Sequence, residues 1–189
     1  MTKVLRQVMD KNNCVVDLPS FGYILRSIGD KKFISLQKKV NDYMIQYNVK
    51  RNRQGTQQTK TLSVPNCKLE LTPIVDEMVD TYIKHYDYGK GQNPADSVPE
   101  LHIQSKNEWI INEQNNSTFT YIAWISIPYN LYDEQEHSQD INKTLNYNVG
   151  QLQLTYESFD GLKNQPIKVD KDDEGGIVLF PSKFNYSVY

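Results

Sequence analysis

The chain predicts an α+β protein, with two helices in the first hundred residues followed by a strand-rich half that forms a two-layer sandwich or jelly roll. Three observations carry this. Apolar residues recur at three- and four-residue steps only before residue 90. From Leu101 onward the sequence turns to β-branched and aromatic runs separated by Asn, Asp and Gly. One run, 118–127, carries bulk on both faces: Phe119, Tyr121, Ala123, Ile125 and Ile127 point one way, and Thr118, Thr120, Ile122, Trp124 and Ser126 the other. Such a strand belongs in a sandwich whose remote face is also covered, here by the helices.

The 189 residues, 38% hydrophobic and 23% charged, suit a single domain over 1–189, with 1–100 supplying strands and helices that cover the sheet and 101–189 the sandwich core. The net charge of −2 creates no field that would draw the chain to nucleic acid or an anionic membrane, so the expected partner is a protein or a second copy of the chain. No apolar run approaches the ~18 residues of a membrane span. Met1-Thr2-Lys3-Val4-Leu5-Arg6-Gln7 opens onto no apolar signal core, so a cytoplasmic setting is expected. Cys14 and Cys67, far apart and without metal-ligand spacing, are then read as reduced thiols. The two glycosylation sequons in Asn115-Asn116-Ser117-Thr118 become a polar turn.

Taken in order, Cys14-Val15-Val16-Asp17-Leu18 and Phe21-Gly22-Tyr23-Ile24-Leu25-Arg26 are short extended segments broken by Pro19-Ser20. Asp30 is expected to cap a helix that buries Phe33, Leu36, Val40, Tyr43, Met44 and Tyr47 and keeps Lys31, Lys32, Lys38 and Lys39 wet. Residues 50–60 hold no apolar side chain and read as a solvated loop. The second helix is signalled by Thr72 as N-cap, Pro73 at the first helical position, and Asp76 and Glu77 near the positive end of the dipole. Its buried face is Ile74, Val75, Met78, Tyr82 and Tyr86. Strands are then expected at 101–111, 118–127, 151–157, 165–169, 176–180 and 184–189, with a solvated loop at 133–140. Asp172-Asp173-Glu174 ahead of Gly175-Gly176 shapes a hairpin, a calcium site being the weaker alternative.

Several segments match one family in order and spacing. Lys68-Leu69-Glu70-Leu71-Thr72 runs into a helix that closes on Tyr86-Asp87-Tyr88, and Asn107-Glu108-Trp109-Ile110-Ile111-Asn112 supplies a Trp-containing strand. Ala123-Trp124-Ile125-Ser126-Ile127-Pro128-Tyr129-Asn130-Leu131 ends in an Ile-Pro-Tyr corner, and Val169-Asp170-Lys171 leads to Glu174-Gly175-Gly176-Ile177-Val178-Leu179-Phe180-Pro181-Ser182. Across roughly 20–189 this order resembles the phage-encoded 2-oxoglutarate/Fe(II) oxygenases, whose fold is the double-stranded β-helix, a jelly-roll or cupin-like sandwich.

The resemblance implies an iron held by two His and one carboxylate, with open positions for 2-oxoglutarate and oxygen. The sequence departs from that pattern at each part. The interval 113–122, where the first His and its His or Asp neighbour would fall, is short and free of His, with Glu113 its only acid. Tyr186 stands where the distal His is expected, and the chain stops at Tyr189, before the strand that would bring the arginine for the 2-oxoglutarate carboxylate. His85 is read as a surface or interface histidine, His137 as solvated, and His102 as one face of a strand with no acidic neighbour at ligand spacing. There is no phosphate loop, no Gly-x-Ser-x-Gly elbow, and no Cys with a His partner.

The expectation is therefore a non-catalytic, oxygenase-like sandwich that serves as a binding or structural protein, with other phage structural proteins or a second copy as partner, in the host cytoplasm or the virion. No metal or cofactor is expected. Tyr121, Trp124, Lys183 and Tyr186 become former pocket residues now used for packing or recognition, and the 13 tyrosines fit a binding role. The competing expectation is an active dioxygenase using Fe(II) and 2-oxoglutarate, with a ligand loop and C-terminal strand that this sequence lacks.

Overall fold

The structure, a computed structural model, describes residues 7–10, 13–18, 22–47, 60–88, 99–103, 110–112, 117–127, 130 and 150–188. It is α+β, with two helices and antiparallel sheets. Strands β1 (Gln7–Asp10), β2 (Asn13–Asp17) and β3 (Gly22–Ser27) precede helix α1 (Asp30–Gln46). Then come β4 (Lys60–Ser63), a 3-10 turn at Pro65–Cys67, helix α2 (Lys68–Tyr86), β5 (Glu100–Ile103), β6 (Ile110–Asn112) and β7 (Phe119–Ala123). The chain closes with β8 (Gln151–Ser158), β9 (Gly161–Lys168), a 3-10 turn at Lys171–Asp173, β10 (Gly176–Pro181) and β11 (Asn185–Val188).

One sheet has the order β1-β2-β3-β10-β7 and the other β6-β11-β8-β9, while β4 and β5 form a separate ribbon. The pairings are nested. The hairpin β8–β9 is innermost, β7 pairs with β10 around it, and β6 pairs with β11 around both. Successive pairs alternate between the two sheets.

Three layers result, because β10 has no polar face. Ile177 and Leu179 face the helices, Val178 and Phe180 face the second sheet, and all four are fully buried. One core joins Val15, Ile24, Ile177 and Leu179 of the five-stranded sheet to Leu36 and Val40 of α1 and to Leu71, Ile74, Met78 and Tyr82 of α2. The other lies between the sheets and holds Val16, Tyr23, Val178, Phe180, Leu152, Leu154, Tyr156 and Ile167. In β7, Phe119, Tyr121 and Ala123 face the helices and Ile122 faces the sandwich interior, the alternation read from sequence; beyond the strand Ile127 crosses to the interior core instead. Cys14 and Cys67 are free thiols on opposite sides of the five-stranded sheet.

Both helix starts differ from the sequence reading. Asp30 is the first helical residue of α1; the cap is Gly29, at φ 85°, a conformation that glycine adopts without strain. Asp30 still lies in the first turn, where its charge meets the dipole. Helix α2 begins at Lys68, so Thr72 and Pro73 lie inside it. The extra turn buries Cys67 and Leu71, and that apolar contact outweighs the capping signature. Glu70 in this turn is ion-paired with Lys39 and accepts from Ser35 Oγ (3.3 Å), while Lys39 Nζ donates to Asn66 O (2.9 Å), tying α1 to α2.

The far end of α2 is clamped to the β2–β3 hairpin. Tyr82 Oη donates to Gly22 O (3.1 Å), and Tyr86 Oη reaches both Val16 O (3.1 Å) and Asp17 Oδ1 (2.7 Å). A Cβ on Gly22 would lie 1.9 Å from Tyr86 Oη and 2.0 Å from Val16 O, so only glycine admits this approach.

The expected strand 101–111 is two strands, β5 in the ribbon and β6 in the four-stranded sheet, separated in sequence by the polar run 104–107. Strands β1 and β4 were not anticipated. The readings of 50–59 and 133–140 as loops, and those of Glu113, Asn115, Asn116 and His137, lie outside the described residues. Among the described residues no helix is long and apolar enough to cross a membrane.

Candidate functional site

The corner between β10 and β11 carries two of the four residues singled out from sequence, Lys183 and Tyr186. Its geometry is fixed by Ser182 N–H donating to Thr118 O (3.0 Å), Phe184 N–H donating to Pro181 O (3.0 Å), and a hydroxyl pair between Ser182 and Thr120 (2.7 Å). These bonds swing the chain from one sheet to the other. Tyr186 is the cross-strand neighbour of Leu154, and Val188 that of Leu152, so both face the interior. The Tyr186 ring meets Phe180 edge-on, with centroids 5.5 Å apart and planes at 73°. Burial raises the Tyr186 phenol above its usual pKa, and the charge of Glu100 adds to the shift, so the group stays neutral.

Glu100 belongs to β5, as does His102, whose Nε2 lies 3.8 Å from Glu100 Oε2. The sequence reading began this strand at Leu101, one residue after Glu100. With Glu100 inside the strand, the two side chains alternate onto one face. Burial lowers the His102 pKa, partly offset by Glu100, so the imidazole favours its neutral form.

Lys183 Nζ stands 5.1 Å from the centroid of the Tyr88 ring, a cation–π arrangement, and burial lowers the amine's pKa. Tyr88 in turn meets Phe119 and Tyr82 edge-on, at 5.7 Å and 6.1 Å. This aromatic group sits where α2 ends and β7 begins.

The other two residues lie elsewhere. Tyr121, paired in register with Leu179, faces the helices, and its phenol is held up by burial and then by Cys67. Trp124 is on the interior side at the opposite end of β10, where its ring is 3.3 Å from the position of a Cβ on Gly176. Its backbone N–H donates to Gly176 O (3.0 Å) and its carbonyl accepts from Gly175 N–H (2.8 Å). The four residues thus occupy both faces and both ends of the sheet rather than one pocket.

The carboxylates of 170–174 hold a turn. The Asp170 side chain accepts from Lys171 N–H (2.7 Å), Asp173 Oδ2 accepts from Asp170 N–H (2.8 Å), and Glu174 Oε1 accepts from Ile127 N–H (2.7 Å). His85 faces Asp17 at 3.0 Å in the α2 clamp.

Tyr186 does not fit the iron that the resemblance implies. It pairs in register with Asn112, the last residue of β6. A neutral phenol packed edge-on against Phe180 offers ferrous iron no anionic oxygen, and ligands must bind deprotonated. Comparison with protein-family models, curated proteins and solved structures finds no match to the chain.

Proposed function

We propose that the chain is a double-stranded β-helix protein of the oxygenase type without an iron centre, acting as a binding or structural component whose partner, following the resemblance, is another phage structural protein or a second copy. The observation that carries the reading is the Tyr186 ring against Phe180 at the position the resemblance gives to the distal ligand. The nested pairs β8–β9, β7–β10 and β6–β11, alternating between two sheets, support the fold half of it. The core between the sheets is filled by Leu152, Leu154, Val178 and Phe180, so its cohesion asks nothing of a metal. Exposed aromatic area at Tyr47, which stacks on Tyr43 at 4.3 Å, supports binding.

Thermal unfolding with Mn(II), a redox-stable stand-in for ferrous iron, and 2-oxoglutarate tests this. A ligand at 100 times its Kd that binds only the folded chain adds about 2.7 kcal/mol of stability. The expected result is an unchanged Tm; a rise that needs both additives contradicts the reading.

A further inference from the structure

The sequence holds one Asp-Gly dipeptide, Asp160-Gly161, and no Asn-Gly, and that dipeptide lies at the turn of the β8–β9 hairpin. Ser158 and Gly161 are the closing pair of the hairpin, so Phe159 and Asp160 form its two-residue loop. Asp160 and Gly161 are both exposed, and Gly161 sits at φ 109°, which a glycine adopts without strain. The nitrogen that follows Asp160 therefore has no side chain beside it to shield it. The Asp160 carboxylate is held within the hairpin by Lys163 Nζ, 2.9 Å from Oδ2, and by a bond from Ser158. The bond from Lys163 is the largest cause of a lowered Asp160 pKa, so the carboxyl stays ionised, and a carboxylate is a poorer electrophile than the neutral acid.

We propose that Asp160 is a site of spontaneous modification, at which aspartate converts to isoaspartate through a succinimide, and that Lys163 restrains the conversion. The Gly161 nitrogen attacks Asp160 Cγ. The new N–Cγ bond forms as a Cγ–O bond breaks, and the oxygen leaves as water with the amide proton and the proton of the acid. A water molecule then opens the ring at either carbonyl. Opening at the Asp160 main-chain carbonyl breaks its bond to nitrogen and leaves the main chain running through Cγ, at the mass of the original chain and with no change of oxidation state. The turn is then one carbon longer and the free carboxylate stands on Cα, which disturbs both the Ser158–Gly161 closing pair and the Asp160–Lys163 ion pair. Lys163 opposes the first bond change twice, by keeping the carboxyl ionised and by holding its oxygen. The proposal is independent of whether the sandwich binds iron.

Peptide mapping of the full chain after prolonged incubation at neutral pH tests this, because an isoaspartyl peptide separates from its aspartyl form at equal mass and resists the protease that cuts before aspartate. The expected result is isoaspartate at Asp160 ahead of every other aspartate, and none at this position in Asp160→Glu, whose longer side chain would have to close a larger ring. Lys163→Met is expected to speed the conversion about two- to fivefold, the factor that corresponds to one exposed ion pair, and Lys163→Arg to leave it near the wild-type rate. Lys163→Gln repeats the comparison should Lys163→Met fail to fold. An aged wild-type chain with no excess of isoaspartate at Asp160, or a variant without the cation that converts no faster than Lys163→Arg, overturns the proposal.

Discussion

Tyr186 crosses the sandwich interior to meet Phe180 edge-on at 5.5 Å, joining β11 of one sheet to β10 of the other. Phe180 is fully buried, so Phe180→Ala is expected to cost about 3–5 kcal/mol. Tyr186→Phe keeps the ring and is expected to fall within about 1 kcal/mol of wild type. Tyr186→His supplies the missing ligand type but puts a polar ring against Phe180, at a cost of about 1–3 kcal/mol and with no gain of iron binding. Urea unfolding of the three variants measures the first two numbers, and metal analysis after Fe(II) loading checks the third.

The approach of α2 to the β2–β3 hairpin depends on the missing side chain of Gly22. Gly22→Ala places a methyl on the Tyr86 hydroxyl and the Val16 carbonyl, and a loss of about 1–3 kcal/mol is expected. Gly161→Ala meets no atom within 4 Å but sits at φ 109°, so its cost, about 1–2 kcal/mol, is backbone strain alone. Tyr86→Phe separates the two cases: with the hydroxyl gone it relieves part of the Gly22→Ala defect and none of the Gly161→Ala defect. A double-mutant cycle reads this coupling.

Burial pushes the Tyr23 phenol up to about 12 and raises Tyr82 and Tyr86 further. For Tyr86 the bond to Asp17 adds to the effect of burial. A folded-state pKa above the unfolded value of 10.0 means that the folded chain holds these protons more tightly. Their stabilising contribution is complete below pH 10 and is lost as the pH rises through the folded values. Alkaline titration followed by phenolate absorbance and far-UV circular dichroism is expected to show these tyrosines ionising together with unfolding. A smooth early ionisation in a folded chain contradicts the buried clamp.

At the acid end, Glu70 experiences burial, which by itself raises its pKa, but the bonds from Lys39 and Ser35 together outweigh it and the net shift is downward. A lowered folded pKa gives stability that is present above the unfolded value of 4.5 and is lost as the pH falls through the folded value. His102 acts nearer neutrality with the same sign: its lowered pKa makes stability decline as the pH drops below 6.5. Thermal melts from pH 7 to pH 3 are expected to show both steps, with Glu70→Gln flattening the lower one and His102→Gln the upper one.

The elements legible in the sequence are those whose burial repeats locally. The 118–127 run could be placed between two layers because bulk alternates on both its faces, and α1 could be read from Leu36 and Val40. The start of α2 was not legible, because Thr72-Pro73 looks like a cap while the decisive contact, Leu71 with the core, involves residues distant in sequence. Strands β1 and β4 have four residues each, too few for a pattern of their own, and pair with β2 and β5. The proximity of Glu100 to His102 was not read from the sequence, and the separation of Tyr121 from Tyr186 needed the facing of two different strands.

We propose that Tyr186 occupies the position that the resemblance gives to an iron ligand. The most direct test is anaerobic titration of the purified chain with Fe(II) in the presence of 2-oxoglutarate, followed by visible absorption for the metal-to-ligand charge-transfer band of a ternary complex. The account predicts no band from a folded sample. A band that grows to one equivalent of iron and survives Tyr186→Phe would contradict it, because the chain would then hold iron through residues other than Tyr186.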